Sequence, residues 1–228
     1  MISCSDYQEK EEILDYEEYL YQGWSAFETV NLYNSSQDSE NAYYYNLSLD
    51  MFDASLQAIE YEFASQGLIG PVSKSYNGIG WTQLYYASEF LEPSMHDTRD
   101  SLRQQSKVSF ESAHTNFNDD SDLLTVQDRC NTHSGLAYIY YYLGLDNLDF
   151  ESSLNHSDTL LSLKPAYSFE HDELDFRNIH YLRGKIYLSM DSLANACEEI
   201  NQAINCDCSD NLDINIILDC FNEFANGD

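Results

Sequence analysis

A short phrase that joins a small residue to a large aromatic one returns along the chain and sets its period. It stands first at Gly23-Trp24-Ser25-Ala26-Phe27 and returns at Gly80-Trp81 and, more loosely, at Ala137-Tyr138. The aromatic residues at 24, 81 and 138 are separated by equal intervals of 57 residues, and a degenerate fourth copy, Gly184-Lys185-Ile186-Tyr187, follows sooner. Even spacing of this kind is typical of proteins built from stacked structural repeats.

Apolar residues recur at helical spacing between these copies. In the segment 193–204 they return mostly at steps of three and four, which places them on one face of a helix. Glycine, proline and polar stretches separate such segments, and no segment alternates apolar and polar residues as a strand does. The pattern predicts an all-α protein of about nine helices, at 7–33, 40–65, about 76 up to Pro93, 95–117, 123–143, 148–163, 174–190, 193–204 and 212–224.

We interpret the repeated phrase as a packing device. A small residue lets a neighbouring helix approach, and the aromatic residue fills the space between repeats. The residues assigned to this packing are Trp24, Phe27, Gly80, Trp81, Ala137, Tyr138, Gly184, Tyr187, Ala196 and Ala203. Function is therefore expected on the surfaces between the copies.

The seventh and eighth predicted helices resemble a tetratricopeptide repeat (TPR), a helix-turn-helix unit with small residues at set places on two facing helices. Gly184 and Tyr187 match the small and aromatic positions of the first helix. The small, large and small positions of the second helix are matched by Ala196, Ile200 and Ala203. The family unit has about 34 residues, so the interval of 57 here means longer helices or loops. The resemblance covers about residues 21–205.

This resemblance implies a right-handed superhelical solenoid of antiparallel helix pairs that ends in a capping helix at about 212–224. It also implies a non-enzymatic role, in which a partner protein or peptide is held in a concave groove. The chain is similar in style to bacterial TPR lipoproteins, whose family role is protein binding and assembly at the cell envelope. Self-assembly is the alternative function, because the apolar final helix would either cap its own chain or dock on another copy, building an extracellular filament.

The charge balance narrows the choice of partner. Lys and Arg total 10 against 40 Asp and Glu, for a formal net charge of -30. Nucleic acid and anionic membrane surfaces are therefore disfavoured, and a protein, a peptide or a further copy of the chain is the expected partner. The charge is interpreted as a solvated, self-repelling surface suited to salty or extracytoplasmic conditions, with an acidic groove for a basic partner or cations as the alternative. Two Asp-rich loops, 116–122 and 207–213, are interpreted as polar turns, with weak cation binding left open.

The first residues resemble the end of a bacterial lipobox. In Met1-Ile2-Ser3-Cys4-Ser5, an apolar, a variable and a small residue precede a cysteine. This predicts a lipid anchor at Cys4, a tether over 1–20 and a single solenoid over 21–228, located in the cell envelope or outside the cell. An ordinary N-terminus is the alternative, and no apolar run reaches the roughly 20 residues that span a membrane.

Four of the six cysteines crowd into the last third of the chain. Their spacing differs from that of zinc sites, so buried thiols or a local disulfide are expected. A Cys206–Cys208 bridge is disfavoured by its tight geometry. Any bridge is therefore expected to join Cys197 or Cys220 to Cys206 or Cys208.

Sequence motifs of common enzymes are absent. Gly78-Ile79-Gly80 lacks the third glycine of a dinucleotide site, and the chain has neither a Gly-x-Ser-x-Gly elbow nor a His-Glu-x-x-His pair. The best local cluster is His171-Asp172 near Arg177, which is expected to orient the connection between the sixth and seventh helices. We therefore predict no catalytic residue, no cofactor and no metal.

Tyrosine is unusually frequent, with 19 residues that often stand side by side. Consecutive residues on a helix face about 100° apart, so some of these rings must reach the surface, where tyrosine suits protein interfaces. Burial of the ring with the hydroxyl left in water is the alternative. The candidate interface residues are Tyr44, Tyr45, Tyr85, Tyr141 and Tyr142.

Overall fold

The computed structural model describes residues 15–32, 38–64, 70–89, 93–117, 123–144, 150–206, 208 and 213–227. These residues form nine α-helices and a single 3-10 turn, Pro93–Met95, and contain no strand. The prediction of an all-α protein with about nine helices is confirmed for this part of the chain. The helices are α1 (Tyr16–Leu32), α2 (Asp38–Ala64), α3 (Val72–Ser88), α4 (His96–Thr115), α5 (Val126–Gly144), α6 (Glu151–Leu163), α7 (Phe176–Ser189), α8 (Leu193–Ile204) and α9 (Ile214–Gly227).

Consecutive helices pack in pairs. The pairs are α1 with α2, α3 with α4, α5 with α6, and α7 with α8, and α9 packs on α8. Contacts also run from α1 to α3, from α3 to α5 and from α5 to α7. The odd-numbered helices α1, α3, α5 and α7 therefore lie next to one another, and we call them the odd-helix row.

Phenylalanine rings from the even helices lie between glycines of the odd-helix row. Phe52 of α2 lies between Gly23 and Gly78, where added Cβ atoms would stand 2.8 and 2.3 Å from its ring. Phe110 of α4 lies in the same way between Gly80 and Gly135, at 2.7 and 2.2 Å. Because glycine has no side chain, each ring packs directly on two helix backbones. We call each arrangement a phenylalanine clamp.

Buried serines repeat a second contact between paired helices. The Ser48 hydroxyl of α2 donates to the Gly23 carbonyl at 3.0 Å, and the Ser106 hydroxyl of α4 donates to the Gly80 carbonyl at 2.8 Å. In the third pair, Ser153 of α6 donates to the Ala137 carbonyl at 2.6 Å. The sequence period thus has a structural counterpart, since equivalent groups meet in successive pairs.

The residues assigned to packing lie in or against the core. Trp24, Tyr138 and Tyr187 are half-buried and pack on core clusters, and Gly184 receives the ring of Phe221 from α9. Those that are buried are Phe27, Gly80, Trp81, Ala137, Gly184, Ala196 and Ala203.

Polar side chains set helix starts that differ from the predicted ones. α1 begins at Tyr16 because Asp15 accepts a hydrogen bond from the Glu18 amide at 2.8 Å, as an N-cap does. The predicted boundary between tether and solenoid at residue 20 therefore falls inside α1. α7 begins at Phe176 instead of 174, because Asp175 and Asn178 form a capping box.

The C-terminal part of the chain is tied by two disulfides. Cys197 of α8 pairs with Cys208, and Cys206 pairs with Cys220 of α9. Both bridges join the residues that the cysteine spacing singles out. Cys130, in α5, is a buried free thiol.

Some predictions concern residues outside this description. Cys4 lies there, together with the centres of both Asp-rich loops, at 118–122 and 209–212. None of the helices in the described ranges combines the length and the apolar composition that a membrane span requires.

Candidate functional site

The connection between α6 and α7, residues 164–175, folds back on itself and packs on the odd-helix row. We call it the crossover segment. The amide of Phe169 donates to the Leu174 carbonyl at 2.8 Å, and the amide of Phe176 donates to the Tyr167 carbonyl at 2.9 Å. These bonds close a narrow loop whose aromatic residues, Tyr167 and Phe169, are buried.

The buried rings of the crossover segment meet α3 and α5. Phe169 stacks on Trp81 of α3 with ring centres 4.6 Å apart. The Tyr167 hydroxyl donates to the Asn131 side chain of α5 at 3.2 Å, and the Trp81 indole donates to the Asn131 carbonyl, also at 3.2 Å. Asn131 thus satisfies polar groups from two sides, and the segment is fixed across these two helices.

The tip of the crossover segment reaches α1. The His171 ring lies on Trp24 with centres 3.8 Å apart and an angle of 5° between planes. Its Nδ1 lies 2.7 Å from a Glu28 carboxylate oxygen, and the Tyr85 hydroxyl of α3 donates to Asp172. His171 and Asp172 therefore orient the connection, as predicted. Their partners are on α1 and α3, whereas Arg177 pairs with Asp175.

Beside the crossover segment, the odd-helix row borders a cavity of about 650 Å³. We call it the tyrosine cavity, because the rings of Tyr85, Tyr138 and Tyr142 line it together with Trp81. The remaining lining residues are Leu84, Ser88, Arg103, Asp172, Glu173, Leu174, Arg177 and Asn178. A smaller cavity of about 270 Å³ shares Tyr138 and Tyr142 with it and extends to Tyr181 of α7 and Phe224 of α9.

The tyrosine hydroxyls of the cavity stay protonated over the physiological range. Burial raises the pKa of Tyr85 well above its ordinary value, and the charge of Asp172 raises it further. Burial likewise raises the pKa of Tyr138 and of Tyr142, with Arg103 opposing the shift at Tyr142. Each hydroxyl is therefore a neutral donor and acceptor of hydrogen bonds.

Charges of both signs surround these rings. The Arg103 guanidinium lies 4.6 Å from the centre of the Tyr142 ring, and the Lys185 amine lies 5.3 Å from that of Tyr181. Asp172 and Glu173 supply carboxylates from the crossover segment. The cavity thus combines aromatic faces with fixed donors and acceptors, which is the chemistry of ligand recognition.

Of the five predicted interface tyrosines, three line the two cavities and two do not. Tyr85 and Tyr142 line the tyrosine cavity, and Tyr141 borders the smaller one although it is buried. Tyr44 is half-buried on α2, and Tyr45 is 2% exposed, with its ring stacked on Tyr86. Burial leaves Tyr45 no exposed face for a partner.

Sequence reasoning missed how the cavity is assembled. The sequence assigns Tyr138 to packing, and nothing in its pattern indicates Arg103 or Asn178. A wall of the cavity comes from the crossover segment, which a helical period does not describe. For this wall, the sequence signal is the predicted cluster of His171, Asp172 and Arg177, of which Asp172 and Arg177 line the cavity.

Among the described residues, no group of three or more His, Cys, Asp or Glu side chains is arranged to hold a metal ion. In comparisons with known proteins, no family model, no curated protein and no solved structure matches the chain. The likeness to TPR proteins therefore stays a prediction.

Replacing His171 with alanine is expected to loosen the crossover segment. The change removes the ring that stacks on Trp24 and the contact with Glu28, so exchange at the amides of Phe169 and Phe176 should rise about tenfold. Hydrogen exchange read by NMR measures this. His96→Ala, at an exposed position in α4, is the matched control and should change neither amide. Unaltered protection in His171→Ala would show that the segment is held by its buried rings alone.

Proposed function

We propose that the protein is a non-enzymatic scaffold that binds a short segment of another protein in the tyrosine cavity. The observation that carries this proposal is the cavity itself, whose volume of about 650 Å³ lies within the range of ligand sites. In this proposal the helix pairs are arranged one after another as a right-handed solenoid of TPR type. The odd-helix row is then its binding side.

A peptide suits this surface for two reasons. Tyrosine and tryptophan rings offer large contact areas at low cost in conformational entropy, as protein interfaces prefer. The polar groups that line the cavity, such as Asp172, Asn178 and Arg103, match the alternating donors and acceptors of a peptide backbone. The adjoining smaller cavity extends the site toward α9, so an extended segment has room beyond one side chain.

The overall negative charge of the chain favours partners of the opposite charge. A chain with a formal charge of -30 attracts basic partners and repels acidic ones at long range. We therefore expect the bound segment to belong to a basic protein. The two disulfides support an oxidising, extracytoplasmic location, and lipidation at Cys4 remains part of this proposal.

Blocking the cavity is expected to abolish peptide binding. Ser88 is exposed and lines the cavity, so a tryptophan there would fill its mouth without disturbing the core. Peptides selected from a displayed random dodecapeptide library against the unmodified protein should bind Ser88→Trp at least about tenfold more weakly, a loss of about 1.4 kcal/mol. Calorimetry measures the affinities.

Ser162→Trp is the matched control, because Ser162 is exposed on α6 and does not line the cavity. It should bind the selected peptides as the unmodified protein does. Equal binding by Ser88→Trp, or a library that yields no binding peptide, would contradict the proposed function.

Self-assembly is the second candidate, and a feature of α9 favours it. Ile214 and Leu218 stand one turn apart and are 46% and 40% exposed. An apolar strip on the last helix is suited to docking on another copy. Concentration-dependent polymers in light scattering that disappear in Leu218→Glu would favour this function over the first.

A further inference from the structure

Three histidines from three helices meet outside the tyrosine cavity. His114 of α4, His133 of α5 and His156 of α6 have ring centres 5.2 to 5.6 Å apart. His133 is 6% exposed, His156 is half-buried and His114 is exposed. The cluster joins a nearly buried pair to a ring that faces solvent.

The buried pair has the geometry of a single shared hydrogen bond. The Nδ1 atoms of His133 and His156 are 3.0 Å apart, while their ring centres are 5.2 Å apart. When two imidazole Nδ1 atoms are 3.0 Å apart, the ring centres are farthest apart if both nitrogens lie on the line between the centres. The observed 5.2 Å is close to that maximum, so the two nitrogens point at each other. They do not converge on a common point, as metal ligands would. One Nδ1 must therefore carry a proton and donate it in a hydrogen bond, and the other Nδ1 must accept that hydrogen bond.

This hydrogen bond responds to protons in two steps. A first added proton goes to the Nε2 of the donor ring, which leaves the bond between the two Nδ1 atoms intact. A second added proton must go to the accepting Nδ1, and two N–H groups would then face each other at 3.0 Å. We propose that the His133–His156 pair is an acid-operated latch between α5 and α6, closed when at most one ring is charged and opened when both are.

The surroundings favour the neutral, closed pair at neutral pH. Burial lowers the pKa of His133 to about 3, and the charges of His156, His114 and Arg129 act in the same direction. Burial lowers the pKa of His156 to about 4, with His114 acting in the same direction and Glu111 of α4 opposing it. Burial also lowers the pKa of His114.

The sign of the pH dependence follows from these shifts. The pKa values of His133 and His156 both lie below the ordinary 6.5. At a pH between 6.5 and these lowered values, the unfolded chain therefore binds more protons than the folded chain. The stabilising effect of the pair is complete above about pH 6.5. It is lost progressively as the pH falls toward 4.

Opening of the latch should loosen the packing of α6. The Tyr140 ring of α5 stacks on His156 with centres 5.7 Å apart, and its hydroxyl donates to Glu111 of α4 at 2.6 Å. Separation of the two histidines therefore releases α6 from a junction of three helices.

Hydrogen exchange along α6 tests the latch. Once separated, the two rings regain pKa values near 6.5 and are protonated at pH 4.5, which favours the open form. After correction for intrinsic rates, α6 amides of the unmodified protein should therefore exchange at least about tenfold faster at pH 4.5 than at pH 7. His156→Gln should weaken this dependence, because glutamine can hydrogen-bond to His133 but does not titrate, which leaves His133 as the one titrating member of the pair. His96→Gln, at an exposed position in α4, is the matched control and should behave as the unmodified protein.

A second measurement needs no variant. In ¹⁵N NMR of the unmodified protein at pH 7, one of the two rings should carry its proton on Nδ1 in a hydrogen bond, and the other should carry it on Nε2. The proposal is overturned if neither ring has a protonated Nδ1, if α6 protection is independent of pH, or if His156→Gln keeps the full dependence.

Discussion

Replacing Gly135 with alanine is expected to destabilise the protein by about 1–3 kcal/mol, although alanine is the better helix former. The added Cβ would stand 2.2 Å from the Phe110 ring, which is fully buried. The ring has little room to withdraw, because Gly80 confines it on the other side. Urea unfolding followed by circular dichroism measures the change in the free energy of unfolding.

The same substitution should lose its cost, or reverse its sign, when Phe110 is absent. Phe110→Ala alone is expected to cost about 3–5 kcal/mol, since it leaves a cavity between two helix backbones. In that background the Cβ at residue 135 meets empty space, so Gly135→Ala should be neutral or should stabilise by up to about 1 kcal/mol. Such a sign reversal in a double-mutant cycle is the mark of a direct clash.

The other phenylalanine clamp supplies the control. The three atoms nearest to a Cβ at residue 135 all belong to Phe110, whereas Phe52 packs on Gly23 and Gly78. Gly135→Ala should therefore remain destabilising in a Phe52→Ala background. Equal effects of Gly135→Ala in the Phe110→Ala and Phe52→Ala backgrounds would contradict the role assigned to the clamps.

Reduction of the two disulfides is expected to release α9. The bridges close short loops, with sequence separations of 11 and 14 residues, and each should contribute about 3 kcal/mol by restricting the unfolded chain. α9 packs chiefly on α8, with Phe221 and Phe224 reaching Tyr181 of α7. Without the bridges, these contacts must hold a terminal helix by themselves.

Urea unfolding with and without dithiothreitol measures the loss. The double variant Cys206→Ala/Cys220→Ala should lose about 3 kcal/mol, together with hydrogen-exchange protection in α9, while Cys197–Cys208 stays closed. The free thiol of Cys130 provides the control, because Cys130→Ala should leave the response to reductant unchanged. An unfolding midpoint that does not move on reduction would show that α9 is held by packing alone.

Much of the fold could be predicted from the sequence because its signals are local. Apolar spacing in 193–204 predicts α8 at the residues where the structure has it, and the equal intervals between Trp24, Trp81 and Tyr138 predict successive helix pairs. Cap positions were less accurate. The start of α7 depends on whether Asp175 and Asn178 bond each other's backbone, which apolar spacing does not record.

The candidate site could be predicted only in fragments. Because adjacent tyrosines cannot all face inward, the sequence predicts Tyr85 and Tyr142 as interface residues, and both line the cavity. The same argument selected Tyr45, which is buried, because it fixes how many rings reach the surface and leaves open which ones.

The sequence by itself determined a helical chain of repeating pairs, because its two signals are local. Helix periodicity and the placing of a small residue beside a large aromatic one each involve only a few neighbouring positions. Only the tertiary structure decided what the repeats enclose. His171 meets Glu28 across 143 residues, and the histidines of α5 and α6 share a hydrogen bond across 23. Such contacts depend on how whole helices and the crossover segment are placed in space, and no local pattern encodes that placement.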